Sequence, residues 1–432
     1  MVELNAKADE RVAAGAELAG RELLAVSFAY PPAASPRAVQ VARLLRHLKV
    51  KTTLVCADYD RKDRVDPALV GEAEAPLATC VRVPFVRSAP RSFVSRVAYR
   101  LDLPLVDKSP DRFVTWKPGV LSAVETLARD GWYEPDVFVT FGSPMSDHLI
   151  GLELKRRLRV PWVAHFSDPW ADNPFLGYDA LTRRYNRLLE ERVVREADRL
   201  VFTTDETVGL FASKHGPSVA AKSRVLPHAF APELFPEPSA RDASTLVVRY
   251  LGDFYGRRSP APLFGALRRL LEAEPGALEG VRFELVGGKG EGQLEEAGIG
   301  SLPEGLVVSR PSVKYAESLR LMCEADGLLV IDAPAELSVF LPSKLIDYVG
   351  AARPVYGITP PGAAAGLIRR LGGWVANPSD LGGVTETLKN FLAFLRASAG
   401  SATAWGDAGV RRGFEPTAVA ERFEGILLEV LR

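Results

Sequence analysis

The side chains best spaced for chemistry lie in Leu341-Pro342-Ser343-Lys344-Leu345-Ile346-Asp347. Proline at a first helical position loses no useful N–H, so Pro342 predicts a helix starting there and closing near Gly350 to Ala352. The N–H groups of Ser343 and Lys344 then face out of the helix mouth, where the dipole and the Lys344 ammonium both attract an anion. Asp347 follows three residues after Lys344 on the same face. That is roughly 5 Å further along the axis. A phosphate at the mouth would leave an attached ribose near Asp347, whose carboxylate accepts from two hydroxyls. Leu341, Leu345, Ile346 and Val349 supply an apolar side. The expected ligand is a nucleoside diphosphate; the plain alternative is a surface helix that carries one lysine and one aspartate.

Arg257 and Arg258 follow a strand and a turn that includes Gly252. Cations there, with Lys344 opposite, would stabilise charge on a departing diphosphate without a metal. Arg258 is the first candidate and Arg257 the second, against the alternative of a hydrated loop. Gly287-Gly288-Lys289-Gly290 also follows a strand, but neither Ser nor Thr follows Lys289 directly, so it is no P-loop; it lets the chain approach a nucleotide. Arg310 to Val313 could line a base pocket through backbone groups. Asp168, between aromatic residues at a strand end, could orient a sugar or act as a general base; the alternative is a turn residue before Pro169. His148 and His165 are the histidines nearest it, each either catalytic or simply packed. Asp58-Tyr59-Asp60 has the form of a metal-holding carboxylate pair, but Arg61 and Lys62 neutralise it. Cys56, Cys80 and Cys323 are far apart in sequence and lack metal-ligand spacing, so no metal is expected.

A chain of 432 residues exceeds one ordinary core and predicts two or three domains. Basic and acidic residues balance at 54 each, so no global field draws it to nucleic acid. Locally, Arg82 to Arg100 holds five arginines and no acid, a run that could rest on anionic lipid or a phosphorylated acceptor, or form a solvated face. The odd, low cysteine count suits a reducing cytosol. Met1 to Arg21 lacks a signal pattern and no apolar run approaches ~18 residues, so the expectation is a cytoplasmic protein, with peripheral contact at the inner membrane face left open.

The elements that must position these residues read as an α/β, doubly wound pattern. Leu23–Phe28, Val50–Cys56, Asp136–Thr140, Pro161–Phe166, Arg199–Thr203 and Ser223–His228 are short apolar runs of the buried parallel type, with helices between several of them. A second series runs through Leu246–Leu251, Val281–Val286, Leu306–Ser309, Gly327–Ile331 and Val355–Ile358. The polar stretch 236–244 suits a boundary. The predicted division is a flexible leader 1–20, an acceptor-binding Rossmann-like domain 21–238, a donor-binding Rossmann-like domain 239–412, and a helix 413–432 that packs back on the first domain.

In this order and spacing the chain resembles the GT-B glycosyltransferases of the family-4 type over nearly its full length. The carrying residues are Val26-Ser27-Phe28-Ala29-Tyr30-Pro31-Pro32, Pro135-Asp136-Val137, Pro161-Trp162-Val163 with Asp168-Pro169-Trp170, and Arg224-Val225-Leu226-Pro227-His228-Ala229. Tyr250-Leu251-Gly252 with Arg257-Arg258, and Pro342-Ser343-Lys344 with Asp347-Tyr348 and Arg353-Pro354-Val355, complete the set. The resemblance implies two Rossmann-like domains facing each other across a cleft. It implies transfer of a sugar from a nucleotide-diphosphate sugar (UDP or GDP) to a sugar, lipid-linked or other hydroxyl acceptor, with retention, without metal or resident cofactor, in glycan or glycoconjugate biosynthesis. By the same resemblance Gly252, Arg257, Arg258, Gly287, Gly288, Arg310, Val313, Leu341, Pro342, Ser343, Lys344 and Asp347 border the donor. Pro32, Ser35, Arg37 and His148 border the acceptor, and Asp168, Arg258 and Lys344 serve catalysis. Two departures stand out. The family pairs glutamates eight positions apart, and Val339 stands eight before Asp347, with Asp332 and Glu336 as the nearby acids; Ala34-Ser35 replaces a glycine pair. A nucleotide-sugar epimerase or hydrolase, or a catalytically weak nucleotide-binding protein, remains the alternative.

Overall fold

The computed structural model describes residues 17–33, 35–58, 76–85, 110–111, 113–129, 133–174, 176, 178–236, 245–287, 291–398 and 404–432. The chain divides into two compact units, Met1–Ala229 with Pro416–Arg432, and Phe230–Glu415.

In the first unit the unalternating apolar runs become strands buried on both faces, as a parallel sheet under helices requires, while the edge strand Thr79–Pro84 buries only Val83. The strands are β1 (Glu22–Ser27), β2 (Lys51–Asp58), β3 (Thr79–Pro84), β4 (Val137–Phe141), β5 (Trp162–His165), β6 (Arg199–Phe202) and β7 (Ser223–Val225). Among the described residues they form one parallel sheet in the order β3-β2-β1-β4-β5-β6-β7. The direction of winding therefore reverses between β1 and β4. Helices α1 (Pro36–Arg46), α2 (Lys117–Arg129), α3 (Ser146–Leu158), α4 (Ala180–Glu196), α5 (Asp205–His215) and the short α6 (Ser218–Ala221) connect them.

The second unit repeats the plan with β8 (Leu246–Leu251), β9 (Val281–Val286), β10 (Val307–Arg310), β11 (Gly327–Ile331), β12 (Val355–Ile358) and β13 (Trp374–Ala376). Its parallel order is β10-β9-β8-β11-β12-β13, reversing between β8 and β11. Its helices are α7 (Ala261–Ala273), α8 (Glu291–Glu296), α9 (Tyr315–Cys323), α10 (Ser343–Ala351), α11 (Ala363–Arg370), α12 (Leu381–Ala397) and α13 (Ala408–Arg412). The last helix, α14 (Pro416–Leu431), belongs to the first unit: Val419, Phe423 and Leu427 enter its core, and the Glu424 carboxylate accepts from the Lys49 N–H.

Three boundaries differ from the sequence expectation. Leu18 is no loose leader: it is 1% exposed in the same core as α14, a single apolar residue that no periodicity flags. The division between units falls at residue 230 rather than 239, because Phe230 and Phe235 already pack against Gly350 in the second unit's core. Likewise the closing segment begins at Pro416 rather than 413, since Phe414 remains in that same core. Among the described residues no helix is long and apolar enough to cross a membrane.

Candidate functional site

In doubly wound sheets ligands sit beyond the carboxyl ends of strands where the winding reverses. In the second unit that point is the end of β8 and β11, and the sequence puts Gly252 and Asp332 immediately after those strands. Arg258 and Asp332 form a buried ion pair there, Nη2 to Oδ1 2.9 Å. Asp332 Oδ1 also accepts from the Ala333 N–H, and Ser338 Oγ lies 3.4 Å from Oδ2. The Arg258 guanidinium sits 4.7 Å from the Tyr255 ring centre.

Lys344 is the unusual member. Its stem keeps some solvent contact, but Nζ is enclosed and has no hydrogen-bond partner. The ammonium lies 3.8 Å from the centre of the Tyr250 ring, a cation–π contact that compensates only part of the lost hydration. Burial, and then the nearby Arg258 charge, push its pKa well below the ordinary lysine value, while Asp332 and Asp253 pull it back. Gly252 is what admits it: a Cβ there would stand 2.5 Å from Lys344 Nζ, and its φ of +133° suits glycine alone. Gly287 performs the same service one strand over, since a Cβ would meet the Gly252 carbonyl oxygen at 2.3 Å. Thus Arg258, Lys344, Gly252 and Gly287 come together around Asp332.

Pro342 corrects the sequence reading by one position. Its ψ of 132° makes it the N-cap residue, so Ser343 and Lys344 are the first two helical residues of α10. No side chain caps this end and no acid occupies its first turn, which leaves the opening N–H groups and the dipole available to an anion. Asp347 is nearly buried, and its Oδ1 accepts from the Tyr315 hydroxyl at 2.9 Å, which orients the carboxylate. Leu341 is half-buried; Arg257 and Val313 are exposed. The Arg310 side chain turns to Glu284 on β9, Nη2 to Oε1 2.9 Å, whereas its carbonyl accepts from the Gly287 N–H. Only the backbone of Arg310 therefore faces the strand ends. Gly288, Lys289 and Gly290 lie outside the described residues. No acid replaces Val339 by position, but Asp332 is the carboxylate that the fold sets beside the cations, and Glu336 is exposed.

The first unit has its own cluster. Ser35 caps α1, its Oγ accepting from the Ala38 N–H at 3.2 Å, and so aims Arg37 inward. Arg37 is buried; its Nη2 lies 3.0 Å from His165 Nδ1 and donates to the His165 carbonyl. Burial pushes its pKa down to about 10 against the pull of Asp168 and Asp147. Asp168 closes the cluster at the end of β5: burial raises its pKa, opposed by the Ser167 hydroxyl and Arg37. It caps no helix. Arg37, His165 and His228 line a narrow crevice with room for about one water, ≈ 10 Å³. Pro32 is half-buried, and Ala34 lies outside the described residues.

His148 is corrected. It was expected at the acceptor, yet it has no exposed surface: Nδ1 lies 2.8 Å from Thr140 Oγ1, the ring packs on Phe166, and burial pushes its pKa to about 3. It is a core histidine, and His228, stacked on His165 at 6.2 Å between ring centres, takes its place beside Arg37. Asp147 was also missed; wholly buried, it accepts from the Phe28 N–H at the end of β1, and burial holds its pKa well above the carboxylate range. A strand-end position was the available signal for Asp332 and His228, and Tyr250 stood in the strand run before Gly252 with no chemistry assigned to it. Cys56 and Cys80, distant in sequence, sit on neighbouring strands with Sγ atoms 3.8 Å apart. Asp58 ends β2, Tyr59 and Asp60 lie outside the described residues, and no metal-holding cluster exists among the described ones.

Residues 33–229 match the family model of the glycosyl transferase 4-like domain. The first unit carries a glycosyl transferase 4-like domain. The matched segment covers most of the first unit and stops at Ala229, where the chain passes to the second. In fold the chain is similar to Anabaena HepE, solved with UDP and glucose (TM-score 0.63, 13% identity, covering 95% of this chain and 100% of that one). It is also similar to the lipopolysaccharide outer core galactosyltransferase WaaB (0.56, 12%, 94% and 99%) and to a Rickettsia africae glycosyltransferase (0.60, 11%, 95% and 99%). No curated protein matches its sequence. The GT-B architecture of two Rossmann-like units is thereby established.

Proposed function

We propose that the chain is a glycosyltransferase that moves a sugar from a nucleoside-diphosphate sugar to an acceptor hydroxyl, with the diphosphate held by the second unit. The observation that carries the reading is Lys344: an enclosed ammonium without a hydrogen-bond partner, beside Arg258, at the uncapped mouth of α10. A buried cation left this way is costly in the free protein, and a diphosphate supplies the missing partner. As the bond from the sugar's anomeric carbon to the phosphate oxygen breaks, charge grows on the diphosphate. Arg258, Lys344 and the first N–H groups of α10 are arranged to stabilise it, so no metal is called for by this reading. Asp347, oriented by Tyr315, would accept from the ribose, and the backbone at Gly287 and Arg310 would border the base. In the first unit, Arg37, Pro32 and Ser35 would border the acceptor. Asp168, whose pKa burial raises, would be the proton-accepting carboxylate. HepE's complex with UDP favours uridine as the base, and the family resemblance favours retention.

A thermal-shift panel of nucleoside diphosphates tests the binding half: a ligand at 100 times its Kd adds ~2.7 kcal/mol. UDP is expected to stabilise the native chain and not Lys344→Met; an equal shift in both would reject the site. Because Val339 breaks the paired-acid pattern, epimerisation or hydrolysis of the donor is the second reading. Following the sugar's fate and anomeric configuration by NMR, with and without acceptors, separates the three.

A further inference from the structure

The exposed large apolar side chains of the first unit are not scattered. Among the described residues they are Leu176, Leu181, Tyr185 and Leu188, 41% to 60% exposed and all within one short stretch of chain. Leu181, Tyr185 and Leu188 stand at i, i+4 and i+7 on α4, so they form one outward ridge. The opposite face of α4, with Asn186, Glu190, Val193 and Val194, is the buried one.

Basic side chains flank the ridge. A groove of ≈ 710 Å³ opens along α4, α5 and α6, lined by Arg184, Arg187, Arg195, Lys214 and Lys222 against the single acid Glu191. Lys214 is occupied by the buried Glu190 and by Asp172, and Lys222 donates to the carbonyls of Arg195 and Ala197. Among the described residues no ion pair engages Arg184 or Arg187. The chain is neutral overall, so this is a local concentration of positive charge.

We propose that the α4 ridge docks on an anionic lipid surface, with Leu181, Tyr185 and Leu188 entering the headgroup boundary and Arg184 and Arg187 meeting lipid phosphates. Apolar residues along one helical ridge with arginines beside them are the pattern of a helix that lies in the interface plane. A soluble polyanion would pair with the arginines and leave the ridge in water. A second copy docking face to face would set the same cations against each other, which costs rather than stabilises. The surface is separate from Arg37, His165 and Asp168, and the proposal does not depend on what the second unit binds.

Flotation with vesicles of phosphatidylcholine and phosphatidylglycerol, against phosphatidylcholine alone, tests it. The native chain is expected to bind the anionic vesicles about tenfold or more strongly, and to lose most of that preference at high salt. Leu181→Ser with Leu188→Ser should abolish binding to both kinds. Arg184→Ser with Arg187→Ser should remove the preference for the anionic kind. These positions are exposed, so both double variants should keep the native melting temperature and the native response to UDP. Equal binding to neutral vesicles, no binding, or unchanged binding by the variants overturns the proposal. So does a native dimer that the leucine variants convert to monomer without any vesicle binding.

Discussion

The two units solve the same topological problem with opposite electrostatics. Each is a parallel sheet whose winding reverses beside its first strand, and each gathers polar side chains beyond its strand ends. In the first unit the cluster is one arginine among buried, neutral imidazoles: His165 and His228 beside Arg37, with His148 behind them. All five histidines of the chain fall in this unit. The second unit sets two basic side chains, Arg258 and Lys344, around Asp332, and leaves the Lys344 amine without a hydrogen bond. A hydrogen-bonding pocket with one arginine suits a hydroxylated ligand, whereas two basic side chains converging on one carboxylate suit a polyanion. The contrast is what favours the second unit as the holder of the diphosphate in the proposed function.

That contrast can be broken most sharply at the second unit's cations. Arg258→Ala should lower kcat/KM by about 10²–10³ through lost stabilisation of the departing diphosphate. It should also destabilise the fold, by about 3 kcal/mol or more, because Asp332 is left buried and unpaired. Lys344→Met should cause a similar loss of activity with the opposite effect on the free protein. Removing an unpartnered enclosed ammonium raises the melting temperature while the UDP-induced shift disappears. Were Lys344 merely structural, its removal would destabilise the chain, and calorimetry distinguishes the two.

Proton linkage sharpens the comparison further. Lys344 has a depressed pKa in the free protein, and a bound diphosphate raises it, so binding takes up a proton. UDP affinity should therefore weaken as pH rises through the window between the free and bound pKa values, with proton uptake measurable by titration in buffers of different ionisation heat. In the first unit the sign concerns stability. His148 and His228 titrate at about 3 when folded, because burial disfavours the charged ring. Unfolded, they take up protons near the ordinary ~6.5. Stability is thus lost as pH falls from about 6.5 toward 3, and the first unit should soften in acid before the second. Hydrogen exchange at pH 5 against pH 7 checks this; equal softening would dissolve the distinction. The smallest effect is expected at Ser35→Ala, which removes the α1 cap and costs about 1 kcal/mol.

Local pattern was a good guide wherever one stretch of chain carries its own reasons. The run Gly327–Ile331, the helix Tyr315–Cys323 and the closing helix Pro416–Leu431 are where hydrophobic spacing puts them. Lys344, Arg258 and Gly252 were legible because charged or flexible residues directly after strands and at helix mouths announce themselves. His148 was misjudged for the converse reason: its sequence neighbours do not reveal that α3 turns it into Phe166 and Thr140. β3 and α2 were missed because each buries few side chains, Val83 in the first and Val120, Leu121 and Val124 in the second.

What the residue order determined by itself was the alternation of buried strands and amphipathic helices, the glycines where backbones must pass closely, and the types of charge available at the strand ends. Only the tertiary structure decided which charges meet. Asp332 finds Arg258 across 74 positions, Lys344 slides over Tyr250 into the space Gly252 leaves, and His228 reaches Arg37 from the far edge of its sheet. The physical reason is that hydrophobic periodicity is a property of neighbours along the chain. The cost of an unpartnered buried charge depends instead on groups brought close by packing, and that arrangement exists only once the sheet has closed around it.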